Sequence, residues 1–279
     1  MSRKGAQLVR NSNMTRIKIA EWDNFYKYGS LTKINRVKSM ICENKFYFAT
    51  PSQLNDPSDC KNTLKDDSEE EIEKQLIEAN RKFFGNSRGD SYIKEAIKKG
   101  IVADQREQAL KILNQIMDTR NGVFSLTKRP DNMALWAKYA DDHKGYCLEF
   151  SNLSRFSYVY EVIYSEKIPL SLSLEEDPSK AEFLYTKSPE WSNEEEARIL
   201  AKPPGFHIFP KDALKGIILG EHCDEENEKQ IVGWIKECDA NILVKKAKFN
   251  SVKQKLEFLQ SHQVRPYQGS DLGDARPLM

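Results

Sequence analysis

At 279 residues the chain is long enough to bury a sizeable core, as one large domain or two small ones. Its 39% hydrophobic, 10% aromatic and 30% charged residues exclude a fibrous, low-complexity or extensively disordered protein. With 43 Lys and Arg against 42 Asp and Glu it lacks a global field to draw in DNA, RNA or an anionic membrane, so any basic surface is local.

Residues 1–20 are polar without a clear period and read as an N-terminal arm or a weak first strand. Residues 1–10 lack the apolar core of a signal peptide, and no run approaches the roughly 18 apolar residues that span a bilayer. The expected location is the cytoplasm. In Asn24-Phe25-Tyr26-Lys27-Tyr28 the tyrosines alternate as in a short strand, which Gly29-Ser30 ends. Leu31, Ile34, Val37 and Ile41 recur at helical spacing, and Lys45-Phe46-Tyr47-Phe48-Ala49 returns to strand character. The turn-rich loop 51–57 follows, because Asn55 and Asp56 can bond their own backbone ahead of Pro57.

Ser68 with Glu71 makes a capping-box pattern ahead of Ile72, Leu76 and Ala79. Leu110, Leu113, Ile116 and Met117 line one face of a further helix, and residues 66–120, punctuated by Gly85 and Gly100, read as a helical insertion. From Gly122 the pattern predicts a strand over 123–127, a helix from near Asp131 carrying Leu135, Trp136 and Tyr139, and strands over 145–150 and 158–164. Residues 175–187 look helical, 196–201 and 206–209 extended, and 215–219 a short apolar strand closed by Gly220. Ile231, Val232, Trp234 and Ile235 belong to a helix, 241–249 is a strand, and 261–279 is expected to be a disordered tail.

Helices cluster early and strands late without regular alternation, which predicts a single, mainly antiparallel α+β domain over 21–260 rather than a doubly wound parallel sheet. Phe48, Leu126, Leu148 and Ile218 are expected in one core. The five cysteines, Cys42, Cys60, Cys147, Cys223 and Cys238, are odd in number and none are spaced C-x-x-C, so reduced, partly buried thiols are expected. His222-Cys223 with Cys238 lacks an evident fourth ligand, and no metal site is predicted.

The glycine loops of P-loop NTPases and Rossmann enzymes are absent, as are G-x-S-x-G and H-E-x-x-H. What the chain does carry, in order, is Tyr26-Lys27-Tyr28, the run from Phe46 through Thr50-Pro51-Ser52-Gln53-Leu54-Asn55-Asp56-Pro57, Trp136-Ala137-Lys138-Tyr139-Ala140-Asp141-Asp142-His143-Lys144-Gly145, and Glu194-Glu195-Glu196-Ala197-Arg198. These runs resemble the successive signatures of the bacterial domain-of-unknown-function family numbered twenty-nine-seventy-one, and together they span well over half of the chain. That family's layout is similar to ADP-ribosyltransferase-like folds, a split antiparallel sheet in which an early strand, an aromatic segment and a late Glu-bearing strand converge on NAD.

The resemblance implies an enzyme that binds NAD as substrate and transfers ADP-ribose or hydrolyses the nicotinamide bond, in bacterial defence or toxicity. Breaking that bond builds oxocarbenium-like positive charge, which a carboxylate stabilises. Glu196 is the expected catalytic carboxylate and Glu194 its helper, placed by E-x-E spacing on one face of a strand. Tyr26, Tyr28 and Tyr47 would stack on nicotinamide, Thr50 and Ser52 would bond a ribose hydroxyl, and Lys27 would stand where better-known transferases have Arg or His. Asn55, Asp56, Trp136, Tyr139 and Arg198 complete the expected NAD site.

Each has a plainer reading. Three consecutive acids are commonly a solvated edge, Arg198 can simply pair with Glu196, and Trp136 and Tyr139 can be core. Asn55-Asp56-Pro57 can be a mere turn, His143 a helix cap and His207 structural. Two other functions fit the residues. One is a binding module recognising a nucleotide, nucleic acid or protein partner through 136–145 with Lys61, Lys65, Lys128 and Arg129. The other is a metal-dependent nuclease built on Asp56, Asp59, Glu194 and Glu196.

Overall fold

The computed structural model describes residues 17–61, parts of 68–77, 90–153, 157–166 and 182–262. The expectations for residues 1–16, Lys65, Ile72, Leu76, Ala79, Gly85, 175–181 and 263–279 lie outside that set. The described strands are β1 (Asn24–Gly29), β2 (Lys45–Phe48), β3 (Gly122–Thr127), β4 (Tyr146–Ser151), β5 (Tyr160–Glu161), β6 (Ile163–Tyr164), β7 (Thr186–Lys187), β8 (Glu196–Ala201), β9 (Gly205–Ile208), β10 (Leu214–Leu219), β11 (Leu243–Asn250) and β12 (Lys255–His262). The helices are α1 (Ile34–Cys42), α2 (Asp90–Lys98), α3 (Ile101–Arg120), α4 (Met133–Tyr139) and α5 (Glu225–Glu237), with 3-10 turns at Pro51–Gln53, Glu182–Tyr185 and Pro189–Glu194.

Eight strands form one sheet in the order β12-β11-β10-β4-β1-β3-β8-β5, antiparallel except where β10 meets β11. The chain is therefore α+β and mainly antiparallel. Alternation along each strand sorts its side chains between the two faces. Phe25, Phe124, Leu126, Leu148, Phe150 and Ile199 point to one face and pack on α1 and α5 through Val37, Ile41, Ile231 and Ile235. On the other face Cys147, Ile218 and Ala247 lie with Trp136 of α4, and Tyr26 and Tyr28 pack at the margin. Ile218 thus leaves the core that Phe48, Leu126 and Leu148 share, because its neighbour Ile217 occupies the first-face position.

The pairing is uneven across the sheet. β1 pairs with β4 along its length, from Asn24 opposite Ser151 to Gly29 opposite Tyr146. β3 likewise pairs with β8, from Gly122 opposite Ala201 to Thr127 opposite Glu196. Between β1 and β3 the register consists of one pair, Tyr26 with Thr127. Beyond that pair the two strands part.

The helices of the 66–120 segment stand outside the sheet, and α3 docks by Met117 and Leu113 onto a satellite cluster with Val123, Phe183 and Leu184. The Ser68 capping box is formed: its backbone N–H and hydroxyl donate to Glu71 Oε2 at 2.9 and 3.1 Å, and the Glu71 N–H donates to Ser68 Oγ at 3.3 Å.

Three further expectations are corrected. Of the helix expected over 175–187, residues 182–185 make a 3-10 turn and 186–187 a strand, because β7 is drawn into parallel pairing with β6. The strand expected over 158–164 is divided at Val162 into β5, which pairs with β8, and β6, which pairs with β7; the Val162 N–H donates to the Glu196 carbonyl of β8 at 2.9 Å. Cys42 and Cys238 form a disulfide, although they lie 196 residues apart; packing of α1 on α5 brings their Cα atoms to 5.2 Å. Cys60, Cys147 and Cys223 are buried thiols. No helix among the described residues is long and apolar enough to cross a membrane.

Candidate functional site

Where β1 and β3 part, a cleft of about 310 Å³ opens. One wall is three consecutive residues of β1, Tyr26, Lys27 and Tyr28, and the facing wall is Ser125, Leu126 and Thr127 of β3. In a continuous sheet consecutive side chains would face opposite sides; here the split exposes both sets to one space. Gln53, Leu54 and Asn55 supply the lip, Tyr139 the α4 side, and Asp59, Lys187, Glu194 and Glu196 the floor.

Local sequence places the floor. Asn132 caps α4, its Oδ1 accepting from the backbone of Ala134 at 3.0 Å and Leu135 at 3.3 Å, while its amide donates to the Asn193 carbonyl at 2.8 Å. Thr127 Oγ1 donates to the Glu194 carbonyl at 2.8 Å. Glu194 ends a 3-10 turn, Glu195 turns the chain with a left-handed φ of 44°, and Glu196 opens β8. The two glutamates therefore do not share a strand face, as E-x-E spacing had implied. They meet because the chain reverses between them.

They meet on Lys187. Its ammonium, 3% exposed, donates to Glu194 Oε2 at 2.7 Å and Glu196 Oε2 at 3.1 Å, with Asp59 Oδ2 at 3.7 Å. Glu196 also holds Arg198, two positions on along β8 and on the same face, through Nε to Oε1 at 2.7 Å and Nη2 to Oε2 at 3.1 Å. Arg198 in turn grips both oxygens of Asp59, at 2.8 and 2.6 Å. Three buried carboxylates face two buried cations, leaving one negative charge in excess.

The electrostatics follow from these contacts. Burial alone would raise the Glu196 carboxyl, but Arg198 and Lys187 outweigh it and hold the pKa below the ordinary carboxylate range. Burial works against the Lys187 charge, yet Glu196 and Glu194 hold its pKa above the usual lysine value. Above the floor the Tyr139 hydroxyl donates its proton to Glu194 Oε1 at 2.7 Å and touches the Asn55 amide oxygen at 3.1 Å. Burial first, and Glu194 second, push the Tyr139 phenol well up. At the rim Lys138 lies 3.6 Å from Glu194 Oε1 and over the Trp191 ring at 3.3 Å.

Lys27 has a different environment. Its ammonium crosses the split to donate to the Ser125 carbonyl at 3.0 Å and sits 4.4 Å from the centre of the Phe124 ring. Desolvation lowers its pKa to about 8, with Glu196 opposing that shift.

Of the residues expected at the site, Tyr26, Lys27, Tyr28, Asn55, Tyr139, Glu194 and Glu196 line this cleft. The others lie elsewhere. Tyr47 is on the β2–β9 pair, its hydroxyl donating to Gln53 Oε1 at 2.8 Å. Ser52 is tied by backbone and side chain to Asp118 of α3, at 2.6 and 2.7 Å, and its hydroxyl is 3.0 Å from that of Thr50. Asp56 is buried and accepts from the N–H and hydroxyl of Ser58 at 2.9 and 2.7 Å. Trp136 is fully buried, its indole N–H donating to the Pro130 carbonyl at 2.8 Å. Arg198 is also fully buried; its five donors serve the floor and the Leu184 carbonyl, so it reaches a ligand only through Glu196.

The bland reading of the acidic triplet holds for Glu195, which is half-exposed and paired with Lys128 at 2.6 Å and Arg129 at 2.8 Å. Those pairs also engage Lys128 and Arg129, two of the four cations of the binding-module reading. The nuclease reading loses its centre, because Asp59, Glu194 and Glu196 converge on the Lys187 ammonium; among the described residues no cluster of His, Cys, Asp and Glu is arranged to hold a metal ion. Lys187 itself was not foreseen. The one signal for it was indirect: two glutamates, if buried, demand a counter-charge.

No protein-family model, curated protein or solved structure matches the chain.

Proposed function

We propose that the cleft takes the nicotinamide riboside end of NAD and cleaves the nicotinamide–ribose bond, by transfer of ADP-ribose or by hydrolysis. The observation that carries this reading is the convergence of three buried carboxylates, Asp59, Glu194 and Glu196, on the floor of a cleft lined by Tyr26, Tyr28 and Tyr139. As the bond breaks, positive charge spreads over the ribose, and a preformed negative floor of low dielectric stabilises it without reorganising. About 310 Å³ is at the low end of ligand-site volumes, which suits one ring and its sugar and leaves the adenosine half outside. Tyr26 and Tyr28 offer ring surface, and the Asn55 amide a polar contact at the lip.

The contacts favour Glu194 over Glu196 as the carboxylate that faces the reacting carbon. Both oxygens of Glu196 are bound by the Arg198 guanidinium, which neutralises it locally. Glu194 is held by the Tyr139 phenol and by the Lys187 ammonium that it shares, with the exposed Lys138 ammonium 3.6 Å away at the rim. Glu196 then acts through Lys187, as a positioning residue.

Incubating the pure protein with NAD and following nicotinamide tests the reading. Release is expected from the wild type, with a fall of roughly 10²-fold or more in Glu194→Gln. Wild-type protein that neither binds nor consumes NAD overturns it. The saturation of Glu196 favours a second reading, a module that binds the same ligand without cleaving it; calorimetric binding with no nicotinamide release identifies that case.

A further inference from the structure

Two lysines line the cleft. Lys187 is locked as an ammonium by carboxylates on three sides. Lys27 instead finds a backbone carbonyl and a ring. A carbonyl oxygen accepts equally from an ammonium or an amine, so Lys27 keeps its position when it loses a proton. A carboxylate partner would have opposed that loss.

We propose that Lys27 is a carbonyl-reactive lysine that forms a reversible imine with small aldehydes entering the cleft between β1 and β3. The neutral amine adds to the carbonyl carbon, a C–N bond forms, and the two amine hydrogens leave with the carbonyl oxygen as water. The reaction needs no oxidant or reductant, and water reverses it. Imine-forming lysines are activated by desolvation in a largely apolar pocket, and here Leu54, Leu126 and Leu135 with the tyrosine rings provide it. The ligand class is an aldehyde no larger than one ring or one opened sugar, given the volume of about 310 Å³. Reactivity at Lys27 is independent of NAD cleavage, since it requires neither Glu194 nor the floor to act on a ribosyl bond.

The titratable groups facing Lys27 are Tyr26 and Tyr28 on its own strand, Glu196 of β8, Glu194, Lys187 of β7, Asp59 and Tyr139 of α4. Glu196 favours the charged form, and desolvation outweighs it. With a pKa of about 8, Lys27 holds on the order of 10²-fold more free amine at pH 7 than a solvated lysine does.

The test is labelling of the whole protein with pyridoxal, chosen because it carries no phosphate and so reports amine reactivity rather than an anion site. Borohydride then traps the imine, and peptide mass spectrometry locates it. Lys27 is expected to label before the exposed lysines, with a rate that rises to a plateau through a midpoint near pH 8. Lys27→Arg keeps the positive charge and is expected to lose the fast-labelling site. Labelling spread over surface lysines with Lys27 no faster, or a Lys27 midpoint at the ordinary lysine value, overturns the proposal. Because the wild type decides the outcome, a failure of the variant to fold leaves the test intact, and NAD consumption by the same preparation is scored separately.

Discussion

The floor and the β1 wall of the cleft solve the same problem, a lysine removed from water, in opposite ways. On the β7–β8 side Lys187 is surrounded by Glu194, Glu196 and Asp59, and attraction outweighs desolvation. On the β1 side Lys27 has a carbonyl and a ring, and desolvation wins. Burial alone therefore does not set the chemistry of a lysine; the charge of its partners decides whether it serves as a structural cation or a reactive amine.

Lys187→Met breaks the comparison most forcefully. It removes one of two buried cations from a floor of three carboxylates and takes a hydrogen bond from each of Glu194 and Glu196 in a dry site. Stranding one partner of a buried ion pair costs about 3–5 kcal/mol, and urea denaturation is expected to show a loss of that size. The matching change on the β1 wall, Lys27→Met, should stay within about 1 kcal/mol at neutral pH, because it deletes a desolvated cation along with a hydrogen bond. Equal losses for the two variants would mean that floor and wall do not differ as their contacts indicate.

Tyr139→Phe sharpens the comparison at smaller amplitude. The phenol supplies one of the hydrogen bonds to Glu194, at 2.7 Å, while Lys187 and Lys138 remain beside the carboxylate. A hydrogen bond to a charged group contributes about 1.5–3 kcal/mol, and the remaining cations should hold the loss near the lower figure. Nicotinamide release should fall more in Glu194→Gln than in Tyr139→Phe, because the latter leaves the negative charge in place.

How far the sequence reached differs between these regions for the same physical reason. Short-range patterns were readable: the alternation of Tyr26 and Tyr28, the opening order of β1, α1 and β2, and β8 from Glu196 to Ala201 were legible from period and turn chemistry. That Asn55, Tyr139 and Glu194 line one cleft was no part of those patterns; only the resemblance implied a shared site. What depends on distant partners was not readable. Nothing near Arg198 announces that Asp59, 139 residues earlier, will hold it out of a ligand's reach. Lys187 sits in a polar stretch that reads as helix, and β7 exists through its pairing with β6. The Cys42–Cys238 bridge spans 196 residues and depends on α1 meeting α5. The split between β1 and β3 is a register fact, invisible to composition, and it turns alternating residues of β1 into one wall.

A last expected effect isolates Lys27 by its pH dependence. Its pKa is lowered from 10.5 to about 8 on folding, so between those values the unfolded chain binds a proton that the folded protein has released. Stability rises with pH wherever the unfolded state binds more protons, so Lys27 penalises the fold fully below about pH 8 and progressively less toward pH 10.5. Lys187 has the reverse sign: its pKa is raised, so its contribution is complete below the ordinary lysine value and is lost only at more alkaline pH. The difference in unfolding free energy between wild type and Lys27→Met should therefore be flat up to about pH 8 and then climb in favour of the wild type through that window. Titrating groups common to both proteins cancel in the difference, which leaves Lys27 as the source of the slope. A difference that stays level across the window would place the Lys27 ammonium in an ordinary solvated state and remove the physical basis for its reactivity.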